Sequence, residues 1–213
     1  MIHLLYKEWR LAVHPVVYMF CLMGALTLVP AYPYGMVFFF GCLGLFFTCQ
    51  FVRENADLFY TMMLPIRKRD AVKSKCLLFV SVELIQLMAT VPFAVLRRWV
   101  LPDGNPVGIE ANAAFFGFGL VIYTIYNFVY LIVLFRSGYQ VGKAFLAAIV
   151  PVLAGIVCME AAVHIPSLAW LDGMRSAEMV RQLPILCGGI VVFVIGNLLT
   201  YRTAALCFET TDL

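Results

Sequence analysis

Charge is what this sequence has least of. Asp, Glu, Lys and Arg make up 13% of its 213 residues, while the hydrophobic types make up 63%. A soluble domain is roughly one quarter charged and about half apolar, so this balance excludes that class and indicates a polytopic membrane protein. Histidine is scarce too: His3, His14 and His164 sit at the ends of apolar runs, at no metal-ligand spacing. None of the seven cysteines belongs to a Cys-x-x-Cys pair, and most lie within or beside apolar runs, where a thiol acts as a small hydrophobe. A phosphate loop is missing too. Gly142-Lys143 is followed by Ala144, and Ser137 stands where the first glycine of such a loop belongs. No Asp falls inside an apolar run, and Ser81, the one serine that does, lacks a Gly-x-Ser-x-Gly frame. The chain is therefore expected to be no enzyme and to hold no cofactor or metal of its own. There is no internal repeat, no low-complexity segment and no stretch of soluble-domain length.

What is present is a series of apolar runs, each near the roughly 20 helical residues needed to cross a bilayer core. They are Val13–Tyr32, Tyr34–Val52, Cys76–Leu96, Asn112–Phe135, Ala144–Val163 and Leu183–Tyr201. None alternates as barrel strands do, so an all-α integral membrane fold of six transmembrane helices is expected, one domain over residues 1–213. Ala31-Tyr32-Pro33-Tyr34-Gly35 predicts a tight turn between the first two spans. PAYPYG after Val29 offers no small-x-small cleavage site, so the first run is read as a retained span rather than a signal peptide. Ahead of it, Ile2, Leu5, Tyr6, Trp9 and Val13 share one helical face, with His3, Lys7, Arg10 and His14 on another. That pattern predicts an amphipathic interfacial helix over 2–13, with a plain extension of the first span as the alternative.

Orientation follows from Lys and Arg. With the N-terminus inside, the inner segments hold eleven and the outer ones four (Arg97, Arg98, Arg175 and Arg181). A multi-pass cell-membrane protein with both termini cytoplasmic is expected, with Trp99 and Trp170 at the outer interface and Trp9 at the inner one. The outer loops are Arg97–Ala111, with turn chemistry at Pro102-Asp103-Gly104-Asn105-Pro106, and His164–Gln182, with a short helix predicted at Ser176–Arg181.

The longest polar interruption is Arg53–Lys75. Within it, Asn55–Leu64 predicts a short helix carrying Phe59, Met62 and Met63 on one side, stopped by Leu64-Pro65. Arg67, Lys68, Arg69, Lys73 and Lys75 follow. An amphipathic helix on a basic, membrane-bracketed loop suits docking of a separate motor protein; anchoring to the membrane surface is the plainer role for Met62 and Met63. Two carboxylates lie inside spans. Glu83 shares a face with Gln86, and Glu160 stands four residues before His164. Each belongs either to a polar patch on a pathway or subunit seam, or to local pairing and snorkelling, such as Glu160 with His164.

Three segments resemble one family. The basic loop Leu64–Lys75 resembles that of small bacterial permeases of the type-2 ABC exporter class (the ABC-2 transmembrane domain). Phe135-Arg136-Ser137-Gly138-Tyr139-Gln140-Val141-Gly142-Lys143 resembles its F-x-x-G-Y-x-x-G-K/R segment, and Leu4–Arg10 its N-terminal interfacial helix. The resemblance implies a permease that works as a dimer with a second copy or homologue, above cytosolic ABC ATPase subunits that hold the ATP and Mg. It places the coupling helix at Asn55–Leu64 and docking on Asp57, Leu58, Phe59, Met62, Met63, Leu64, Pro65, Arg67 and Arg69. The basic run would border the ATPase or lipid headgroups, and Ile165–Gln182 would shape the exit. An apolar, aromatic pathway implies export of an amphipathic peptide, drug or lipid-like cargo, with no nucleic acid involved. Two other readings stand beside it: the substrate-binding membrane subunit of a vitamin importer, and a non-transport membrane scaffold.

Overall fold

The computed structural model describes residues 2–100 and 104–210, so Pro102-Asp103 of the expected turn and the Ile2 and Ser176 side chains lie outside the description. Every regular element among the described residues is helical. Eight α-helices follow one another: α1 (Ile2–Lys7), α2 (Val16–Cys21), α3 (Met36–Glu54), α4 (Asp57–Met63), α5 (Lys68–Val100), α6 (Ala113–Arg136), α7 (Val141–Ala162) and α8 (Ser176–Glu209). A π-helical turn, Glu8–Ala12, extends α1, and 3-10 segments occupy Leu22–Leu28 and Pro166–Asp172. Helices α3, α5, α6, α7 and α8 are each long and apolar enough to span a membrane. Counting the bent pair of N-terminal segments as one more gives up to six.

The first expected span departs most from its pattern. Residues 3–12 and 16–28 meet at a 93° bend. The bend falls at Val13-His14-Pro15, where proline disfavours the helical state in the residue before it. The run then continues as six α residues and seven 3-10 residues rather than one α-helix to Tyr32. At about 1.5 Å per α residue and about 2.0 Å per 3-10 residue it covers roughly 23 Å, so the 3-10 winding stretches a short segment across more of the bilayer. Its cause is local and tertiary together. Thr27 Oγ1 donates back to Gly24 O at 2.8 Å, and a Cβ on Gly24 would stand 2.8 Å from the Thr90 Cα of α5.

Helix α5 is longer than its apolar run. It starts at Lys68, takes in most of the basic loop, and continues through Pro92 to Val100, 33 residues in all. Helix α8 joins the short outer helix expected at Ser176–Arg181 to the last span in 34 residues. Glu178 accepts the Arg175 N–H at its start, 3.3 Å, and Pro184 does not interrupt it.

At the centre stands α6, apolar on every side and buried along most of its length. It crosses α8 where Gly117 meets Gly189. A Cβ on Gly117 would lie 2.8 Å from Ile185 O, and one on Gly189 would run into Gly117 O. Aromatic packing continues the core through Phe79, Tyr126 and Tyr130, with the Phe38 ring tilted against Phe115 at a centroid distance of 4.6 Å. Leu146, Val150, Leu153 and Val157 of α7 form an exposed apolar stripe at i, i+4, i+7 and i+11. Val191, Ile195, Leu198 and Leu206 form another on α8, at i, i+4, i+7 and i+15. Exposed stripes on hydrophobic helices are what a lipid solvent permits.

Candidate functional site

Helix α4 is presented on a bracket. Helix α3 ends at Glu54 with Asn55 as its cap, and Ala56 takes a left-handed conformation at φ 51°, turning the chain so that α4 starts at Asp57. Leu64 is extended ahead of Pro65, which ends the helix. The face expected to dock is divided by the structure. Leu58 and Met62 turn inward against the core, and Thr61 is buried between them. Phe59, Tyr60, Met63 and Leu64 face outward at 56, 66, 66 and 52% exposure. Met62 thus does not share the outer face with Phe59 and Met63, and Tyr60 takes its place. The reason is the spacing 58, 61, 62, which closes on α3 and α5 and leaves 59, 60 and 63 outside.

The N-terminal helix holds α4 in place. Lys7 Nζ donates to Asp57 Oδ2 at 2.5 Å and to Thr61 Oγ1 at 2.6 Å, and the Thr61 hydroxyl donates to Asp57 O at 2.7 Å. Asp57 is therefore a brace of α4, half-buried against Lys7. The next residue, Glu8, is buried and paired with the equally buried Lys75. Lys75 does not border headgroups or a partner, because it points into the protein and fixes the first turns of α5 to the π-helical turn. Arg69 makes a two-pronged pair with Glu209, Nε to Oε1 at 2.5 Å and Nη2 to Oε2 at 2.9 Å. Pro65, Arg67 and Lys73 remain exposed. The KE dipeptide was legible as part of an N-terminal helix; its partners, 50 and 67 residues away, were not.

Deep in the bundle, Glu83 is fully buried, so it does not snorkel to an interface. Its Oε2 accepts from Asn127 Nδ2 at 2.9 Å, and the same nitrogen lies 2.9 Å from Asn197 Oδ1, linking α5, α6 and α8. Gln86 sits in a separate cluster. Its Nε2 donates to Val37 O at 2.7 Å, and its Oε1 accepts from the Tyr123 hydroxyl at 2.8 Å. Asn127, Asn197 and Tyr123 were not among the expected site residues, although an Asn in the middle of an apolar run is itself a signal for an inward-facing polar contact.

The end opposite α4 is a polar cap. Glu160 does not pair with His164 there. Its Oε1 accepts the Gly35 N–H at 2.5 Å and its Oε2 the Ile109 N–H at 3.0 Å, binding two loops to α7. A Cβ on either Gly35 or Gly108 would collide with that carboxylate. His164 Nε2 instead lies 3.0 Å from Val107 O. Arg97 and Glu110 form a buried pair at 3.0 Å, and the Glu110 N–H reaches Asp172 Oδ1 at 2.8 Å. Burial pushes the Glu110 carboxyl above its ordinary range, against the opposing pull of Arg97. Burial raises Asp172 likewise, against the opposing hydrogen bond from Glu110. Asn112 Nδ2 donates to Leu171 O at 2.7 Å, and Gln182 Nε2 reaches the Gly173 carbonyl at 2.9 Å, drawing residues 166–173 into the cap.

These pieces amount to a helical membrane body, closed by loops at one end and carrying a braced, outward-facing apolar helix at the other. No curated protein and no solved structure matches the sequence significantly. Residues 3–203 match the family model described as an ABC-2 family transporter protein. That match spans nearly the whole polypeptide, and with the apolar helices described above it means that this chain belongs to the ABC-2 transporter family and is a membrane permease of an ABC transporter.

Proposed function

We propose that the chain is the permease of an ATP-driven exporter, with α4 as the element on which cytosolic ATPase subunits act. The observation that carries this reading is the pairing of exposure with bracing. Phe59, Tyr60 and Met63 face outward from a seven-residue helix that Lys7 ties to the body, and Leu64 just beyond it faces outward too. A helix this short has little stability of its own. A brace that fixes its position lets a push on its tip reach α3 and α5, which flank it directly. The positive charge gathered on this side supports placing α4 in the cytoplasm. ATP closes the motor subunits, and their stronger binding to one permease conformation supplies the work that tilts the spans of a two-copy assembly. Cargo is amphipathic, suited to an interior built of aromatic and apolar side chains.

The polar residues of the cap favour export over a vitamin-importer role. Glu160 and His164, the set an outer ligand site would use, are engaged with the chain's own backbone. The docking proposal is tested by affinity purification in mild detergent. Phe59→Asp and Met63→Asp each place a charge on the outer face of α4 and are expected to release the co-purifying ATPase by at least about tenfold, since apolar anchors dominate such interfaces. Met62→Leu, on the inner face, is expected to retain it. Unchanged co-purification in both Asp variants would sink the docking assignment.

A further inference from the structure

Along the seam between α5 and α8 runs an apolar groove of about 260 Å³, open to the surface and lined chiefly by Cys76, Leu77, Val80, Phe193, Val194 and Leu198. At its α4-side end stand Lys73 and Tyr201, and Tyr201 is shared with a second hollow of about 210 Å³ that reaches Arg202. Lys73 and Arg202 are exposed, and neither has an ion-pair partner among the described residues, whereas neighbouring Arg69 is taken by Glu209. A dry slot on a membrane span with unpaired cations at its mouth matches an amphiphile of one geometry: an apolar chain below and an anionic group above.

We propose that this seam binds an anionic phospholipid of the leaflet on the α4 side, one acyl chain lying in the groove and the phosphate at Lys73 and Arg202. The dimensions agree. Lys73 to Val80 rises about 10 Å along α5, enough for the upper part of one acyl chain. The cavity is also smaller than the roughly 300–1,000 Å³ of sites for compact drug-sized molecules. Charge argues against a second copy of this chain as the occupant. A symmetric pair joined at this face would bring the same patch against itself, Lys73 and Arg202 included. Lipid binding at this seam does not depend on the direction of transport. It follows from the groove and its charges alone.

The test uses the full chain purified from vesicles of phosphatidylcholine and phosphatidylglycerol in equal amounts, with retained lipid counted by native mass spectrometry. Retention of phosphatidylglycerol in preference to phosphatidylcholine is expected. Each of Lys73→Gln and Arg202→Gln should weaken it about fivefold, the effect of one cation near an anionic surface. Val80→Trp, which fills the slot from α5, should remove the retained lipid while preserving the thermal midpoint; Leu198→Trp, from the α8 wall, serves if the first variant fails to fold. Equal retention of the two lipids by the unaltered chain would overturn the proposal. So would unchanged phosphatidylglycerol retention in Lys73→Gln/Arg202→Gln. A third overturning result is a dimer that Leu198→Trp dissociates without changing bound lipid, since that would make the seam a protein interface.

Discussion

Lys7 and Glu8 stand next to each other and do different things. Lys7, half-buried, holds the loop helix through Asp57 and Thr61, while Glu8 neutralises Lys75 inside the protein. A buried ion pair need not add much net stability over an apolar pair of the same shape, but removing Lys75 leaves Glu8 charged and buried with only its longer, 3.7 Å contact to Lys7. Lys75→Met is therefore expected to cost about 3–5 kcal/mol, seen as a fall in the thermal midpoint in detergent, and Glu8→Gln combined with Lys75→Met should recover most of it. If the double variant were as unstable as the single one, the pair would not be the source of the loss. Glycines 188 and 189 give a second contrast one residue apart. A methyl group on Gly189 would run into the Gly117 backbone, whereas one on Gly188 would meet nothing within 4 Å. Gly189→Ala should destabilise by about 1–3 kcal/mol. Gly188→Ala should be neutral or stabilise by up to about 1 kcal/mol through helix propensity. Parallel thermal melts decide it.

The short helix α4 makes its own prediction at the scale of an element. Its outward residues supply the docking surface, and its inward residues and Asp57 supply the attachment, so the two can be separated by mutation. Lys7→Ala leaves Phe59, Tyr60, Met63 and Leu64 in place but removes both hydrogen bonds from the N-terminal helix. The expected outcome is an ATPase that still co-purifies while permease-stimulated ATP hydrolysis falls several-fold, because the tip is bound but no longer rigidly joined to α3 and α5. Unaltered stimulation would mean that the brace has no part in coupling. The division between faces was only half legible in the sequence. Spacing found an amphipathic helix and its stop at Leu64-Pro65. Which side was buried depended on the left-handed turn at Ala56, which sets the rotation of α4 and which no residue type announces.

For the whole molecule, the cap opposite α4 predicts a pH dependence. Glu110 and Asp172 both have carboxyl groups held above their ordinary range, so the folded cap binds protons more tightly than the unfolded chain does. Their contribution is complete below the usual carboxylate values near about 4 and is lost as pH climbs through the raised ones. Hydrogen exchange at the Ile109 and Glu110 amides, corrected for intrinsic rates, should show stronger protection at about pH 5 than at about pH 8. Stronger protection at the higher pH would contradict that sign. Glu160→Gln should leave part of the protection, since the carboxamide oxygen can still accept one of the two backbone N–H groups that the carboxylate binds.

Composition and apolar run length by themselves determined that this chain is an α-helical membrane protein, and the basic loop bracketed by such runs marked where its amphipathic helix lies. Those are properties of the solvent, since a bilayer admits long apolar helices and little else. Tertiary structure alone decided the partners of the rare polar groups: Glu8 with Lys75, Glu83 with Asn127, and Glu160 with the amides of Gly35 and Ile109. It also decided that the first apolar run bends and thins into 3-10 winding rather than crossing as one α-helix. A buried charge or polar group must find a partner wherever the fold brings one, across 44, 67 or 125 residues, and local periodicity carries no information at such separations.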